Sequence, residues 1–448
     1  MEVMSIERSS TELLSKNFIK RVLRYCIAIG CLLYAVPESR GAGSDFFTPS
    51  ITVNQEYNDN ILETPNNKKG DFVTRVMPGF AMAYRAPFWD WDLGYIFDYR
   101  HYSKGTRDDE ITHNVNAKGN LRLIDNLLYL DLSDTYSRVS LDTLRDTTTE
   151  SLSVNQTDQN ILSVSPYLLL HPANNNTVKT GLRYSKTSYF GSEGSSEGID
   201  YQEFGAFISM NHELSSKCTL IFNGNYSYDV TSENINYSRV TPSVGIRYDY
   251  TEKSFISLEG GYTALFNSGR TDTSPYWNAA FTHTFDFMIL SVNSGITYNT
   301  DPLQYASKQT TVGARLDKPF QRGATSLFIS YSNIKDSLQN TLKYINYDRG
   351  TSTKYEAGTS TKYDFTSQIA GHLDLIADKF SGNNGYDTTF SGLNYPYRFS
   401  LGPGISMALK NKFTISLDYN YVTYRNSPAS ASGSTDINRV IVGLSKAF

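Results

Sequence analysis

The fold is decided by an alternating run at positions 89–100, which reads Trp89-Asp90-Trp91-Asp92-Leu93-Gly94-Tyr95-Ile96-Phe97-Asp98-Tyr99-Arg100. Every second residue is large and apolar or aromatic. The residues between them are polar or small, with Ile96 as the one exception. Because successive side chains of a β-strand point to opposite faces, the run predicts a strand with one apolar and one polar face.

Similar runs recur at 219–228 and 413–421. A soluble β-sandwich or propeller also has alternating strands, but its strands are usually about five or six residues long. The longest runs here reach about ten residues, the length that a tilted strand needs to cross a hydrocarbon layer. Only a closed barrel satisfies every backbone polar group in that layer. The sequence therefore predicts an all-β fold, a transmembrane antiparallel β-barrel.

The connections between the runs alternate in length. Short connections are predicted at Ala86-Pro87, 124–126, 171–174, 215–217, 251–253, 320–323 and 410–412. Longer polar segments are predicted at 103–109, 141–153, 191–198, 335–350, 382–395 and 427–436. Short periplasmic turns and longer outer loops are typical of bacterial barrels. This spacing predicts about twenty strands with both termini periplasmic. Eighteen strands stays an alternative, because the first strand and 307–345 are poorly patterned.

The composition agrees with a barrel. The 448 residues include 33 Tyr and 24 Phe, yet the mean hydropathy is −0.39. This combination suits strands with one apolar and one wet face. The net charge of −4 and the absence of a long basic run in the barrel region argue against a nucleic-acid partner.

The first 43 residues have the features of an export signal. Four basic residues between 16 and 24 precede an apolar stretch of about a dozen residues, Tyr25–Val36, which is within the range of a signal peptide. That stretch is too short for a membrane helix, which needs about 20 residues. We predict a signal peptide at 1–43, with the cleavage bond open, and a barrel at 44–448. Gly30-Cys31 leaves lipoprotein processing as an alternative.

The predicted mature chain keeps one cysteine, Cys218, and so can form no intramolecular disulfide. Cys218 alternates in step with Leu220 and Phe222 and so falls on the apolar face of its predicted strand. This position predicts a cysteine that packs as a small apolar side chain rather than a reactive thiol.

The C-terminal strand carries an assembly signal. Val442, Leu444 and the final residue Phe448 share one parity, and this pattern resembles the signal read by the outer-membrane barrel assembly machinery. Lys446 departs from the pattern, because this position is usually aromatic or apolar. The signal predicts a cell outer membrane location in a Gram-negative bacterium.

The first predicted strand contains the motif Glu56-Tyr57-Asn58-Asp59-Asn60-Ile61. This opening resembles outer-membrane β-barrels associated with PEP-CTERM/exosortase loci, and the broader β-barrel porin group. The resemblance implies that the protein is associated with exopolysaccharide synthesis and export. It implies no catalytic residue. By its composition the motif predicts strand termination and local turns. A calcium site with Asp59 and Glu63 as ligands is a weaker alternative, because the EF-hand spacing is absent.

If the apolar parity faces lipid, the opposite parity lines the lumen. The predicted lumen-lining residues are Asp98, Arg100, Lys118, Arg122, Arg183, Arg247, Asp249, Glu259, Arg315, Asp374 and Asp418. They include both positive and negative side chains. They therefore predict either rows of salt bridges that stiffen the barrel wall or a mixed-charge conduit without a clear preference for anions or cations.

The sequence shows no catalytic constellation of high specificity, no metal-ligand spacing and no cofactor fingerprint, so we expect no enzyme activity and no cofactor. His101 and His113, which flank the acidic segment Asp108-Asp109-Glu110, form the one grouping that an outer-rim enzyme would use.

The leading hypothesis is an outer-membrane pore for hydrophilic solutes that serves exopolysaccharide export. Its expected partners are outer-membrane lipid, the barrel assembly machinery, polysaccharide and periplasmic export components. A structural or adhesive barrel with a closed lumen is the second hypothesis, and an outer-membrane enzyme is the third.

Overall fold

A computed structural model describes residues 46–140, 156–190, 198–232, 235–298, 306–336, 351–382, 396–425 and 434–448. The predicted signal peptide at 1–43 and the start of the predicted barrel domain at 44 lie outside the described residues.

Twenty β-strands and one 3₁₀ turn, Lys410–Lys412, make up the described chain. The strands are β1 Phe47–Asn58, β2 Asp71–Arg85, β3 Trp89–Tyr102, β4 Glu110–Ile124, β5 Leu128–Ser140, β6 Gln156–Ala173, β7 Asn176–Phe190, β8 Tyr201–Ser215, β9 Cys218–Thr231, β10 Tyr237–Thr251, β11 Ser254–Asn267, β12 Arg270–Thr284, β13 Ile289–Tyr298, β14 Ser307–Phe320, β15 Gly323–Asp336, β16 Thr351–Asp364, β17 Ile369–Gly382, β18 Tyr397–Ala408, β19 Phe413–Arg425 and β20 Ser434–Ala447.

Each strand pairs antiparallel with the next, and β20 pairs antiparallel with β1, so the sheet closes on itself. The closing pair runs from Ser50 opposite Ala447 to Asn58 opposite Arg439. This topology confirms the predicted all-β antiparallel barrel and favours twenty strands over eighteen. Within the described ranges, no helix is long and apolar enough to span a bilayer.

The connections divide the barrel into two ends. Those at one end have two to four residues, for example 174–175 and 285–288, and we call it the turn end. At the other end, the loop end, 59–70 and 103–109 are longer. The longer loops predicted at 141–153, 191–198, 335–350, 382–395 and 427–436 lie largely outside the described residues.

One loop-end connection breaks the predicted alternation of lengths. The strands β11 and β12 are joined by only Ser268 and Gly269, whose φ angles are 45° and 80°. A tight two-residue hairpin turn of this kind requires positive φ at both central positions, which glycine adopts without strain.

The register separates two faces. On one face, Tyr95 lies opposite Phe80, with ring centroids 5.6 Å apart. On the other, Arg100 lies opposite Arg75. We call the face of Tyr95 the apolar face and that of Arg100 the polar face. Directly paired residues on neighbouring strands share a face, so the pairing assigns the residues of every strand to one face or the other.

The polar face is covered at the loop end. Ile61, from the β1–β2 connection, packs against Val73 and Tyr102, and all three are buried. Ile199, from the β7–β8 connection, forms a second buried cluster with Tyr237. Within the described ranges, the buried apolar residues therefore lie at the loop end of the barrel.

Candidate functional site

The strand register places every predicted lumen-lining residue on the polar face. In β3 and β4, Asp98 and Arg100 lie toward the loop end, and Lys118 and Arg122 lie toward the turn end. The remainder lie on later strands: Arg183 on β7, Arg247 and Asp249 on β10, Glu259 on β11, Arg315 on β14, Asp374 on β17 and Asp418 on β19.

Two buried charges join the first and last strands at the loop end. The Arg439 guanidinium donates to the Glu56 carboxylate through Nε at 2.8 Å and through the Nη2 nitrogen at 3.2 Å. Both side chains are less than a tenth exposed. Because a charge-assisted bidentate pair fixes relative orientation, this contact fixes the register where the barrel closes.

A second group of charges continues from this seam. Asp98 accepts hydrogen bonds from Arg75 at 2.6 Å and from Arg100 at 2.9 Å. The carboxylate of Asp98 is almost fully buried, and the two guanidiniums offset the cost of burying its charge. The predicted lumen residues Asp98 and Arg100 are therefore brought together, with Arg75 as a third member that the sequence analysis did not name.

The remainder of the first-strand motif also binds across the seam. Asp59 accepts from the backbone N–H and the side-chain amide of Asn438 on β20, both at 2.7 Å. Asn60 donates to the carbonyl of Asp436 at 3.2 Å and holds the turn at Thr64. On the apolar face, Tyr57 packs against Phe72 with ring centroids 4.9 Å apart. The motif thus ends β1 and attaches it to β20.

Asp59, one of the two residues of the calcium alternative, is engaged across the seam. Both carboxylate oxygens of Asp59 accept hydrogen bonds from Asn438. Across the described ranges, no group of three or more His, Cys, Asp or Glu side chains could hold a metal ion.

A third group of charges lies on β7, β8 and β10. The Glu203 carboxylate lies 2.7 Å from the Arg183 guanidinium and 3.4 Å from that of Arg239. The Arg239 guanidinium also lies 4.7 Å from the ring centroid of Tyr298 on β13. Tyr298 lies in the last part of β13, beyond the residues that pair with β12, and its side chain reaches the polar-face residues Arg239 and Ser274.

The fourth group is the most deeply buried. Arg398 on β18 and Asp378 on β17 form an ion pair with Nε and Oδ2 3.0 Å apart, and neither side chain is exposed. Lys354 on β16 lies 3.5 Å from Asp378 and also pairs with Glu356. We call these four groups of charges the loop-end clusters.

Charged residues toward the turn end form exposed pairs instead. Arg315 and Asp317, two residues apart on β14, approach to 2.8 Å, and Arg247 and Asp249 repeat this arrangement on β10 at 2.9 Å. Arg122 contacts Asp90 at 2.7 Å. We call these the turn-end pairs, and exposed pairs of this kind contribute little to stability.

Three predicted lumen residues lie between the two ends. Asp418 lies 3.6 Å from Nε2 of His372. Glu259 accepts hydrogen bonds from Ser243 and, at 2.8 Å, from Asn223 on β9. Asp374 has no ion-pair partner in the part of the chain that the structure describes, and the same holds for Lys118 nearer the turn end.

The histidine grouping at the loop end forms a small hydrogen-bonded set. Asp109 accepts from the Tyr99 hydroxyl at 2.6 Å and lies 2.9 Å from Nδ1 of His101. These hydrogen bonds, first from Tyr99 and then from His101, lower the pKa of Asp109. His113 lies elsewhere, with its Nδ1 2.9 Å from the Tyr95 hydroxyl. The two histidines are thus not brought to one site.

The C-terminal strand places its signal residues against β1 and β19. Val442 and Leu444 lie opposite Leu417 and Ile415. The backbone N–H of Phe448 donates to the carbonyl of Pro49 at 3.0 Å. Lys446, which differs from the usual assembly signal, is buried. Its Nζ lies 4.9 Å and 4.4 Å from the ring centroids of Phe413 and Phe448. The lysine therefore fits an apolar position by cation–π contact.

Several members of the loop-end clusters were missed by the sequence analysis. They are Arg75, Glu203, Arg239, Lys354, Glu356, Asp378, Arg398 and Arg439. Parity was a usable signal for some of them. Arg439 alternates with Val440 and Val442, and Arg398 alternates with Phe399 and Leu401, so both could have been assigned to the polar face.

Comparison with known proteins shows similarity of fold. No protein-family model and no curated protein matches the sequence. Among solved structures, the FrpB iron transporter from Neisseria meningitidis matches with a TM-score of 0.51 and 10% identity, over 90% of this chain and 82% of that one. A variant of the ferric enterobactin receptor PfeA from Pseudomonas aeruginosa matches with a TM-score of 0.50 and 9% identity, over 90% and 80% of the two chains. The chain therefore shares a closed antiparallel barrel fold with these two proteins.

Proposed function

We propose that this barrel is a pore for hydrophilic solutes with its narrowest section at the loop end. The observation that carries the proposal is the closed twenty-strand sheet with charged residues distributed along one face. Barrels of about 16 to 18 strands already leave an aqueous channel. A polar inner face and an apolar lipid-facing band are the arrangement such barrels use.

Contacts across intervening strands support the assignment of the polar face to the lumen. Asn223 on β9 reaches Glu259 on β11 at 2.8 Å, and Lys179 on β7 reaches Asp131 on β5 at 3.7 Å. Strands two apart are separated by about 10 Å. Side chains that bridge this gap converge, as they do on the concave side of a curved sheet.

The difference in burial supports a constriction at the loop end. Arg398 and Asp378 have no exposed side-chain surface, whereas Arg315 is about half exposed. A solute that enters from the turn end would pass mobile, hydrated charges before it meets the fixed loop-end clusters. We place the turn end and both termini in the periplasm, as short turns are in bacterial barrels.

The link to exopolysaccharide export is a finer part of the proposal, and it rests on the first-strand motif Glu56-Tyr57-Asn58-Asp59-Asn60. In this proposal polysaccharide is the solute and periplasmic export components are the partners. The barrel assembly machinery would insert the chain through Val442, Leu444 and Phe448. We propose a pore rather than an enzyme, because His101 and His113, the grouping that an outer-rim enzyme would use, contact different partners, Asp109 and Tyr95.

A structural or adhesive barrel with a closed lumen is the second candidate. The observation in its favour is that the loop-end clusters pair their charges closely, from Arg439–Glu56 to Arg398–Asp378. Such pairing would stiffen a closed wall as well as it would line a narrow pore.

Single-channel conductance of the refolded protein in planar bilayers separates these candidates. A pore gives discrete steps that anionic polysaccharide fragments block, whereas a closed barrel gives none. Two matched substitutions then locate the constriction, because Arg100 and Arg315 each pair with an Asp two residues away. We expect Arg100→Gln to change step size and ion selectivity and Arg315→Gln to leave both nearly unchanged. Equal effects would contradict a loop-end constriction.

A further inference from the structure

The apolar face carries an unusual pair of like charges near the loop end. Lys308 on β14 lies directly opposite Lys335 on β15, on the same face as Val312 and Tyr331. Like charges directly opposite each other destabilise an antiparallel pair. The pairing therefore concentrates positive charge at one point of the apolar face, and an anion bound there would neutralise it.

A third lysine lies on the same face two strands further along. Lys379 on β17 lies opposite Tyr355 on β16, which in turn lies opposite Tyr331. Its Nζ is 6.0 Å from the ring centroid of Tyr397. Lys335 is four residues beyond Tyr331, about 13 Å along the strand. The three lysines thus provide positive charge at two separated points of the loop-end rim.

These lysines differ from the lysine on the polar face of the same strands. Lys354 contacts both Glu356 and Asp378. By contrast, among the residues that the structure describes, Lys308, Lys335 and Lys379 form no ion pair.

An apolar groove lies beside Lys379, and its nearest edge, at Tyr331, is about 13 Å from Lys335 along the strand. It has a volume of about 540 Å³ and is lined by Val312, Ala314, Ile329, Ala357 and Ala377, with Lys379 at its edge. The register aligns Ala314, Ile329, Ala357 and Ala377 across four neighbouring strands. The three alanines leave the depth that larger side chains fill elsewhere on this face.

We infer that this patch binds a phosphorylated glycolipid, with an acyl chain in the groove and phosphate groups at Lys308, Lys335 and Lys379. A lysine ammonium is a compact point charge that binds phosphate without the planar geometry that arginine requires. Apolar side chains next to cations match a lipid with acyl chains and an anionic headgroup. A soluble anion would use the lysines but not the groove, and a neutral lipid would use the groove but not the lysines.

The inference rests on the proposed orientation, in which the loop end faces the outer leaflet, where a phosphorylated glycolipid would be encountered. It does not depend on whether the lumen conducts. Loss of lipid binding with intact conductance steps would reject this site alone, and loss of conductance steps with intact lipid binding would reject the pore alone.

The test uses the full-length refolded protein in phosphatidylcholine nanodiscs, titrated with bisphosphorylated lipid A and followed by native mass spectrometry. Dephosphorylated lipid A and inorganic phosphate are the comparison probes. We expect bound bisphosphorylated lipid A, at least tenfold weaker binding of the dephosphorylated form, and no retained inorganic phosphate. Equal binding of both lipid forms would overturn the inference, and so would retention of inorganic phosphate alone.

Matched variants locate the site. The triple variant Lys308→Gln, Lys335→Gln and Lys379→Gln should weaken binding of bisphosphorylated lipid A at least tenfold. Lys318→Gln is the control, because Lys318 lies on the same strand and face as Lys308 but toward the turn end. It should change binding less than twofold, and an equal loss in the control would contradict the site.

Ala357→Phe provides an independent test of the groove. It leaves all three lysines in place and should reduce binding by filling the space for the acyl chain. Unchanged binding in this variant would reject the groove as the acyl-chain site. For every variant, the heat-dependent shift of the folded barrel on a gel confirms that the protein has folded.

Discussion

Two Arg–Asp pairs on the polar face show how differently the two ends of this barrel use the same chemistry. Arg398 and Asp378 at the loop end approach to 3.0 Å, and Arg315 and Asp317 at the turn end approach to 2.8 Å. Neither side chain of the first pair is exposed, whereas those of the second pair are 54% and 32% exposed. Distance alone therefore does not distinguish a structural ion pair from a hydrated one.

The difference follows from what covers each end. At the loop end, Ile61 packs against Val73 and Tyr102, and Ile199 packs against Tyr237, so parts of the polar face are covered there. At the turn end, connections of two to four residues are too short to fold over the sheet. A charge without water must keep its partner, whereas an exposed charge can exchange its partner for water.

The largest expected effect comes from breaking the most buried pair. Arg398→Ala should lower the free energy of unfolding by about 3–5 kcal/mol, because it leaves Asp378 buried without this partner. Urea unfolding of the refolded barrel in lipid vesicles, followed by tryptophan fluorescence, measures the change. The turn-end control Arg315→Ala should cost less than about 1 kcal/mol. Similar losses in both variants would remove the distinction between the two ends.

A smaller effect is expected at the seam. Asp59→Asn replaces a carboxylate that accepts two hydrogen bonds from Asn438, each at 2.7 Å. Hydrogen bonds to a charged group contribute about 1.5–3 kcal/mol, so a loss within that range is expected in the same unfolding experiment. Asp92→Asn is the turn-end control, since Asp92 is more than half exposed in its pair with Arg85. If Asp59→Asn leaves the free energy of unfolding unchanged, the motif does not stabilise barrel closure.

The smallest effect tests an exception at the turn end. Lys446 is buried there on the apolar face, between the rings of Phe413 and Phe448. Lys446→Met keeps most of the side-chain volume and removes the cation, so about 0.5–2 kcal/mol of stability should be lost. The comparison variant Lys412→Met changes an exposed lysine at the same end and should be close to neutral. If Lys446→Met instead raises the free energy of unfolding, the desolvation cost of burying the ammonium exceeds the stabilisation from its contacts with the two rings.

Much of the fold was predictable because strand geometry is local. Alternation in 89–100 determines which side chains share a face, and the register agrees with that assignment for Asp98 and Arg100. Pairs two residues apart, such as Arg247 and Asp249, also follow from parity alone. The weakly patterned stretch 307–345 proved to contain β14 and β15, whose many Thr and Ser residues hide the alternation.

The sequence by itself determined the two faces, the positions of most connections and the type of fold, since each depends on a repeat of two residues and on turn chemistry. Only the tertiary structure decided which charges meet and which are buried. Glu56 and Arg439 are 383 positions apart and become neighbours because the sheet closes. The burial of Arg398 and the exposure of Arg315 depend on what packs over each end of the barrel. Strand periodicity contains no information on either point, because both arise from contacts between distant parts of the chain.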